Sequence, residues 1–292
     1  NQGGCLSQAV SIADMFIHGG YTLVSRQGRQ EDESEIYRST NSGTFPLYNL
    51  IVLINGGSAS ASEIVAGAVQ DLDRGLIVGE NSFGKGLVQR QFMAGEGAVI
   101  RISTSHWYTP AGRLVQRPYD KGRGEYYAVR YRDPDSQSAD STREEFKTLG
   151  GRTVYASSGI TPDHQIEGRR ISGATIQLLN NRLLFEYAQT IADNHNLTEN
   201  SDFQNFYRHF NTTDDDIEGL LELAVAKELE YPPKALESDG EYLKSQLKAE
   251  VAQLVWSSRE GYYLVRVSED PVVKSALELF EEADNISSSV WR

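Results

Sequence analysis

Cysteine is nearly absent from this chain: Cys5 is the only one in 292 residues. A lone cysteine excludes an internal disulfide and a thiolate metal cage, and it leaves the redox compartment unassigned. Long apolar runs are missing as well. No stretch approaches the roughly 20 residues that a bilayer span requires, and the opening Asn1-Gln2-Gly3-Gly4 has neither the basic nor the apolar region of a signal peptide, so the sequence reads as soluble. Positive charge is scarce, with 28 Lys and Arg against 41 Asp and Glu for a net of −13. That balance excludes the clustered basic footprint that phosphate recognition needs, so no nucleic acid is expected as a partner. His18, His164, His195 and His209 fall at no metal-ligand spacing with one another or with carboxylates, which predicts no metal and no cofactor. Apolar residues are not scarce, at 39%. They suffice for the core of one large or two ordinary domains and argue against disorder.

The acidity is uneven. Residues 1–170 hold 18 basic and 19 acidic residues, whereas residues 171–292 hold 10 and 22. The first part alternates short apolar runs with glycine-rich turns. Strands are predicted over 50–54, 76–78 and 87–92, with a helix between the first two carried by Ile64, Val65, Ala68, Val69 and Leu72. This strand-helix-strand order predicts an α/β core. Residues 98–104 alternate apolar and polar after Gly95-Glu96-Gly97, which predicts a β-hairpin with the preceding strand. Residues 117–152 turn polar and read as a surface insertion. Beyond 170 the spacing predicts helices over 176–192, 213–230, 242–255 (with Ser238 and Glu241 as a capping box ahead of it) and 272–283. The chain thus divides into a core over 1–170 and an acidic, mainly α-helical extension over 171–292.

Two segments carry chemistry. Asn55-Gly56-Gly57-Ser58-Ala59-Ser60-Ala61-Ser62-Glu63 lies at a strand-to-helix turn, where unpaired N–H groups and the helix dipole can stabilise a developing oxyanion. Ser60 there is either a nucleophile or only a helix N-cap, because Ser60 and Glu63 also fit the capping box. The second segment, Gly79 to Gln89, sets Lys85 between Gly84 and Gly86. If residues 85–89 are extended, Lys85, Leu87 and Gln89 share a face, so that Gln89 orients the amine while Leu87 excludes water. A desolvated lysine shifted from about 10.4 toward roughly 7–8 can serve as general base for a serine. A competing reading is the phosphate-binding G-x-x-x-x-G-K pattern at Gly79–Lys85, but Gly86 lacks the hydroxyl that magnesium needs, and a β-like run follows where a helix should start. His106, beside Trp107 and Tyr108 at a strand end, reads as structural.

Together these residues resemble the carboxyl-terminal processing peptidases, or tail-specific proteases, serine endopeptidases with a Ser/Lys dyad. The likeness rests on the serine turn, on Phe83-Gly84-Lys85-Gly86 followed by Val88-Gln89, on Asn1-Gln2-Gly3-Gly4 with Ala9-Val10 and Ile12-Ala13-Asp14, on Tyr108 to Arg113, and on Gly159 to Asp163. It spans about residues 1–167. The resemblance implies a mixed-sheet core with crotonase-like layers, Ser60 as nucleophile, Lys85 as general base and Gln89 as the residue that positions it. It also implies an oxyanion hole from Ala61 and from Gly3 or Gly4. Substrates would be proteins or peptides with accessible C-terminal tails, cleaved through an acyl-enzyme in a bacterial cell envelope, in the periplasm. The helical extension is the surface open to a homo-oligomer or adaptor contact. Against the family pattern the chain opens in mid-motif, without the signal or anchor, the PDZ domain or the first core strands, and impaired activity is expected of such a fragment. The competing class is a non-catalytic binding or scaffold module on a degenerate protease core, with Ser60 merely capping its helix.

Overall fold

The computed structural model describes residues 1–292 other than 41–42, 46–47, 119–121, 123, 125, 127–143, 157, 230, 232 and 292. Much of the polar insertion expected over 117–152 lies outside the described residues. Contacts divide the chain into two units, residues 1–168 with 275–292, and residues 169–274.

The first unit opens with helix α1, Leu6–Phe16, followed by β1, Thr22–Gly28, and β2, Glu35–Arg38. The aliphatic run becomes β3, Ile51–Ile54, and the helix after the serine turn is α2, Ala61–Asp71. Then come β4, Leu76–Gly79, β5, Leu87–Met93, and β6, Val99–Tyr108. Two antiparallel strands, β7 (Glu145–Lys147) and β8 (Thr153–Tyr155), precede β9, His164–Gln165. β2-β1-β6-β5 form one antiparallel sheet, and β3-β4-β9 form a parallel one. The β5–β6 hairpin turns through Gly95, Glu96 and Gly97, all at positive φ, which is why glycine flanks the glutamate.

A shared core joins both sheets and both helices: Ala9, Val24, Ile54, Ile64, Val69, Ile77 and Trp107 are all buried in it. α2 is buried on nearly every side, from Ala61 to Asp71. Polar clamps hold its far end. Asp71 accepts the Ala111 N–H at 2.9 Å and pairs with the buried guanidinium of Arg113. Asp163 accepts from the Gln70 side chain at 3.0 Å, from the Ile77 N–H at 2.8 Å and from Arg152 at 2.6 Å. The Tyr108–Arg113 and Gly159–Asp163 landmarks therefore fix α2 and β4.

Four expectations differ from the structure. The acidic tail is not one extension to the end of the chain, because the helix Phe280–Trp291 groups with the first unit: the Trp291 indole donates to the Leu72 carbonyl at 2.9 Å, its ring lies 5.5 Å from His18 and 5.0 Å from Tyr21, and Glu282 meets His164 at 2.9 Å. The run expected over 272–283 is accordingly split between Pro271–Leu277 and that last helix. The run over 176–192 is likewise two helices, Gly173–Asn180 and Leu183–Asn194, parted at Arg182, whose φ of 58° is left-handed. Ser238 starts no helix, because a single helix runs Pro233–Trp256, opening on a proline whose fixed φ suits the first helical turn. The second unit buries its own cluster, including Leu184, Ile191, Leu220, Leu247 and Val251.

Candidate active site

The turn between β3 and α2 is tied by its own polar groups. Ser58 Oγ accepts the Asn55 N–H at 3.1 Å, and Asn55 Oδ1 accepts the Gly57 N–H at 2.9 Å. This delivers Ser60 to the N-cap of α2 with φ 58° and ψ −120°. A serine there costs about 1–3 kcal/mol and persists only where its surroundings dictate it. Residues 1–3 are part of those surroundings. The Asn1 carbonyl accepts from Ala59 N–H and Ser62 Oγ, each at 3.0 Å. Gly3, at φ +87°, lies so close that a Cβ on it would meet the Ala59 carbonyl at 2.5 Å and the Ala61 nitrogen at 2.7 Å. Only glycine lets the two segments approach so closely.

Of the capping box between Ser60 and Glu63, the Glu63 half is a hydrogen bond, and the Ser60 hydroxyl makes no cap bond. The carboxylate does more than cap. Glu63 is fully buried, and its Oε2 accepts the Ser60 N–H at 2.8 Å and the Lys85 N–H at 2.9 Å. Oε1 takes the Ser82 hydroxyl at 2.5 Å and the Gly84 N–H at 2.7 Å. One oxygen thus holds the backbones of both Ser60 and Lys85. Burial pushes the Glu63 carboxyl above its ordinary value, against the pull of these four hydrogen bonds. Lys85 is further fixed by its carbonyl, which accepts the Trp107 indole N–H at 3.2 Å.

A cleft of about 490 Å³ is lined jointly by Ser60, Ala61, Gly4, Lys85 and Gln89. Of the residues expected at the site, only Gly3 stands behind this lining, and its N–H is engaged by Asn1 Oδ1 at 2.9 Å. The N–H groups of Gly4 and Ala61 have no acceptor among the described residues. Lys85 is half-buried and has no carboxylate partner among them. Two finer contacts are not formed: Gln89, exposed on β5, makes no hydrogen bond to Lys85, and the Ser60 hydroxyl makes none to the lysine amine. Such contacts often tighten only with substrate bound. After Lys85 the chain enters β5 and starts no helix, so the phosphate-loop geometry is absent there. His106 does not line the cleft. Among the described residues no group of three or more His, Cys, Asp or Glu could hold a metal ion.

Comparison with known proteins places this geometry: residues 1–121 match peptidase family S41. Residues 175–257 match a family of unknown function, DUF8443. A carboxy-terminal-processing protease of Bartonella bacilliformis is 46% identical over 116 residues, covering 40% of this chain and 26% of that protein. A carboxyl-terminal-processing protease of Synechocystis is 42% identical over 113 residues, covering 38% of this chain and 25% of that one. A solved photosystem II D1 C-terminal processing protease is similar at 27% identity and a TM-score of 0.40, over 57% of this chain and 32% of that one. The chain spans about a quarter of the length of the curated relatives it matches.

All the residues expected at the site, Gly3, Gly4, Ser60, Ala61, Lys85 and Gln89, lie inside the stretch that matches family S41. Sequence reasoning assigned Glu63 only a capping role. Its tie to Lys85 joins residues 22 apart in the chain and leaves no periodic signal. The one available signal was its place three residues after Ser60, which the capping box already explained.

Proposed function

We propose that this chain carries the catalytic part of a serine endopeptidase that cleaves proteins near their C-terminus through Ser60 and Lys85. The observation that carries the reading is the single cleft into which Ser60, Lys85 and the free N–H groups of Gly4 and Ala61 all converge. The Lys85 amine takes the Ser60 proton as Oγ attacks the peptide carbonyl, and the Gly4 and Ala61 N–H groups hold the tetrahedral oxyanion. The lysine then gives that proton to the leaving amine, and water, deprotonated by the same amine, hydrolyses the acyl-enzyme. Gln89 positions the lysine once substrate closes the cleft. Ser60 sits at the N-cap of α2 without a side-chain cap bond, which leaves its hydroxyl available as nucleophile. Gly4 serves the oxyanion and Gly3 serves as spacer, because the Gly3 N–H is already bonded to Asn1.

Substrates would be proteins or peptides with accessible C-terminal tails, and a cell-envelope location, such as the periplasm, follows from the family likeness alone. No helix among the described residues is long and apolar enough to cross a membrane. A homo-oligomer or adaptor contact through residues 169–274 belongs to the same proposal. Labelling with a fluorophosphonate, followed by mass spectrometry of the adduct, tests the dyad. The expected adduct is on Ser60, absent in Ser60→Ala and strongly reduced in Lys85→Ala. An adduct elsewhere, or labelling indifferent to Lys85→Ala, would refute the assignment.

A further inference from the structure

The cleft holds an arginine besides Lys85. Arg101 stands on β6 directly opposite Gln91 of β5, and both line the same cleft as Ser60 and Lys85. Among the described residues Arg101 makes neither an ion pair nor a hydrogen bond, and no Asp or Glu lines the cleft. The surrounding unit is nonetheless acidic: residues 1–168 with 275–292 hold 17 basic and 23 acidic residues, a net of −6. The cleft therefore has a local charge opposite to that of its unit. Its polarity also changes along its length. Leu6, Ile64 and Trp107 stand with Ser60 and Lys85, whereas Gln91 and Arg101 form the other end, with the Gln89–Ser103 pair between.

We propose that Arg101 is a specificity-determining residue that binds a carboxylate of the peptide substrate. This rests on the reading of Ser60 and Lys85 as the catalytic pair. From Lys85 to Gln91 the chain advances six residues, about 20 Å at ~3.3 Å per residue in a strand. Allowing for the reach of the arginine, the carboxylate falls about four to six residues from the scissile bond of an extended peptide. The planar guanidinium fork matches a carboxylate through two parallel N–H···O bonds, which an ammonium cannot reproduce. That carboxylate is either the α-carboxylate of a chain end or an Asp or Glu side chain.

Fluorescence anisotropy separates these sources with three labelled apolar decapeptides: one with a free C-terminus, one C-terminally amidated, and one amidated with Glu as the fifth residue after the middle bond. Each is titrated into Ser60→Ala, Ser60→Ala/Arg101→Gln and Ser60→Ala/Arg101→Lys. The expected result is a loss of about fivefold in affinity on removing the carboxylate. A loss of similar size is expected from Arg101→Gln, with no further loss when both are removed and partial recovery in Arg101→Lys. Recovery by the internal Glu assigns a side chain; preference for the free end alone assigns the terminus. Amidation that weakens binding equally with and without Arg101 overturns the proposal, as does failure of all three peptides to bind. Labelling at Ser60 is read independently, so carboxylate-dependent binding without labelling would sink the dyad and leave the Arg101 subsite standing.

Discussion

Removing the Glu63 carboxylate should damage both the fold and the site, and the structure gives the sizes. Glu63→Ala strips the acceptor from three backbone N–H groups and one hydroxyl. Ser60 and Lys85 line the cleft, where water can replace the lost oxygen. Gly84 and Ser82 are buried, and water cannot reach them. Two donors stranded at about 1–3 kcal/mol each predict a loss of ~2–6 kcal/mol, a large share of the 5–15 kcal/mol typical of a domain. Glu63→Gln keeps one oxygen. Its amide can leave Ser60 and Lys85 served while the Ser82 hydroxyl turns to accept, so only the Gly84 N–H is opposed, at about 1–3 kcal/mol. Urea unfolding should rank the forms wild type, Gln, Ala. At a urea concentration where both are folded, fluorophosphonate labelling of Ser60 should fall at least tenfold in Ala and less in Gln. Equal stability of wild type and Glu63→Ala would refute the anchoring argument. Normal labelling in a folded Glu63→Ala would show that the carboxylate does not set the position of Ser60 and Lys85.

Further outcomes follow from single contacts. Gly3→Ala would drive a Cβ into the Ala59 carbonyl and should cut Ser60 labelling severely, whereas Gly4→Ala meets nothing within 4 Å and should leave the loop in place; matched labelling rates in the two variants would contradict the close-approach role of Gly3. In the second unit burial pushes the Asp239 carboxyl up, but the bonds from Thr175, Ser172 and Ser238 outweigh it and hold its pKa below the usual aspartate value. The stability it supplies is therefore complete above about pH 4 and is lost as pH falls through the lowered value, so Asp239→Asn should cost about 1 kcal/mol at pH 7 and shrink that acid loss. Parallel stability-pH curves by circular dichroism would contradict this. Trp291→Ala removes the indole bond to Leu72 and the contacts with His18 and Tyr21, and should loosen the last helix by about 2 kcal/mol. Hydrogen exchange across residues 280–291 would show it, and unchanged protection there would count against the docking.

What the sequence made legible was whatever depends on neighbours in the chain. β3, α2, β4 and the β5–β6 hairpin follow from short-range periodicity and from glycine at forced turns. Ser60 and Lys85 stood out because serine and glycine crowd where an ordinary turn needs neither. What stayed hidden depends on distant partners. Arg182 breaks a helical run whose apolar spacing continues straight across it, so periodicity alone reads one helix. Trp291 finds Leu72 across 219 residues of chain, and nothing in its local sequence distinguishes docking from solvent. Glu63 illustrates the limit most directly, since its capping signature is correct but accounts for only part of its bonds.

The same limit governs the charge. Counted along the sequence, residues 1–170 are nearly neutral and the tail carries the acidity. Counted by packing, the first unit has a net of −6 and residues 169–274, with 11 basic and 18 acidic residues, a net of −7. Neither sum decides what the cleft accepts. Six charges spread over a unit whose radius of gyration is about 16 Å repel an incoming carboxylate by about 1.6 kcal/mol in pure water. At physiological salt the ~8 Å screening length cuts that to about 0.2 kcal/mol. A guanidinium 4 Å from the same carboxylate attracts it by about 1 kcal/mol at the dielectric of water and by about 4 kcal/mol at an effective value of 20, reduced by less than half at that distance. Local charge outweighs the total by at least a factor of about three. An acidic protein can therefore present a cleft selective for carboxylates, provided that an arginine lines the cleft and no Asp or Glu does.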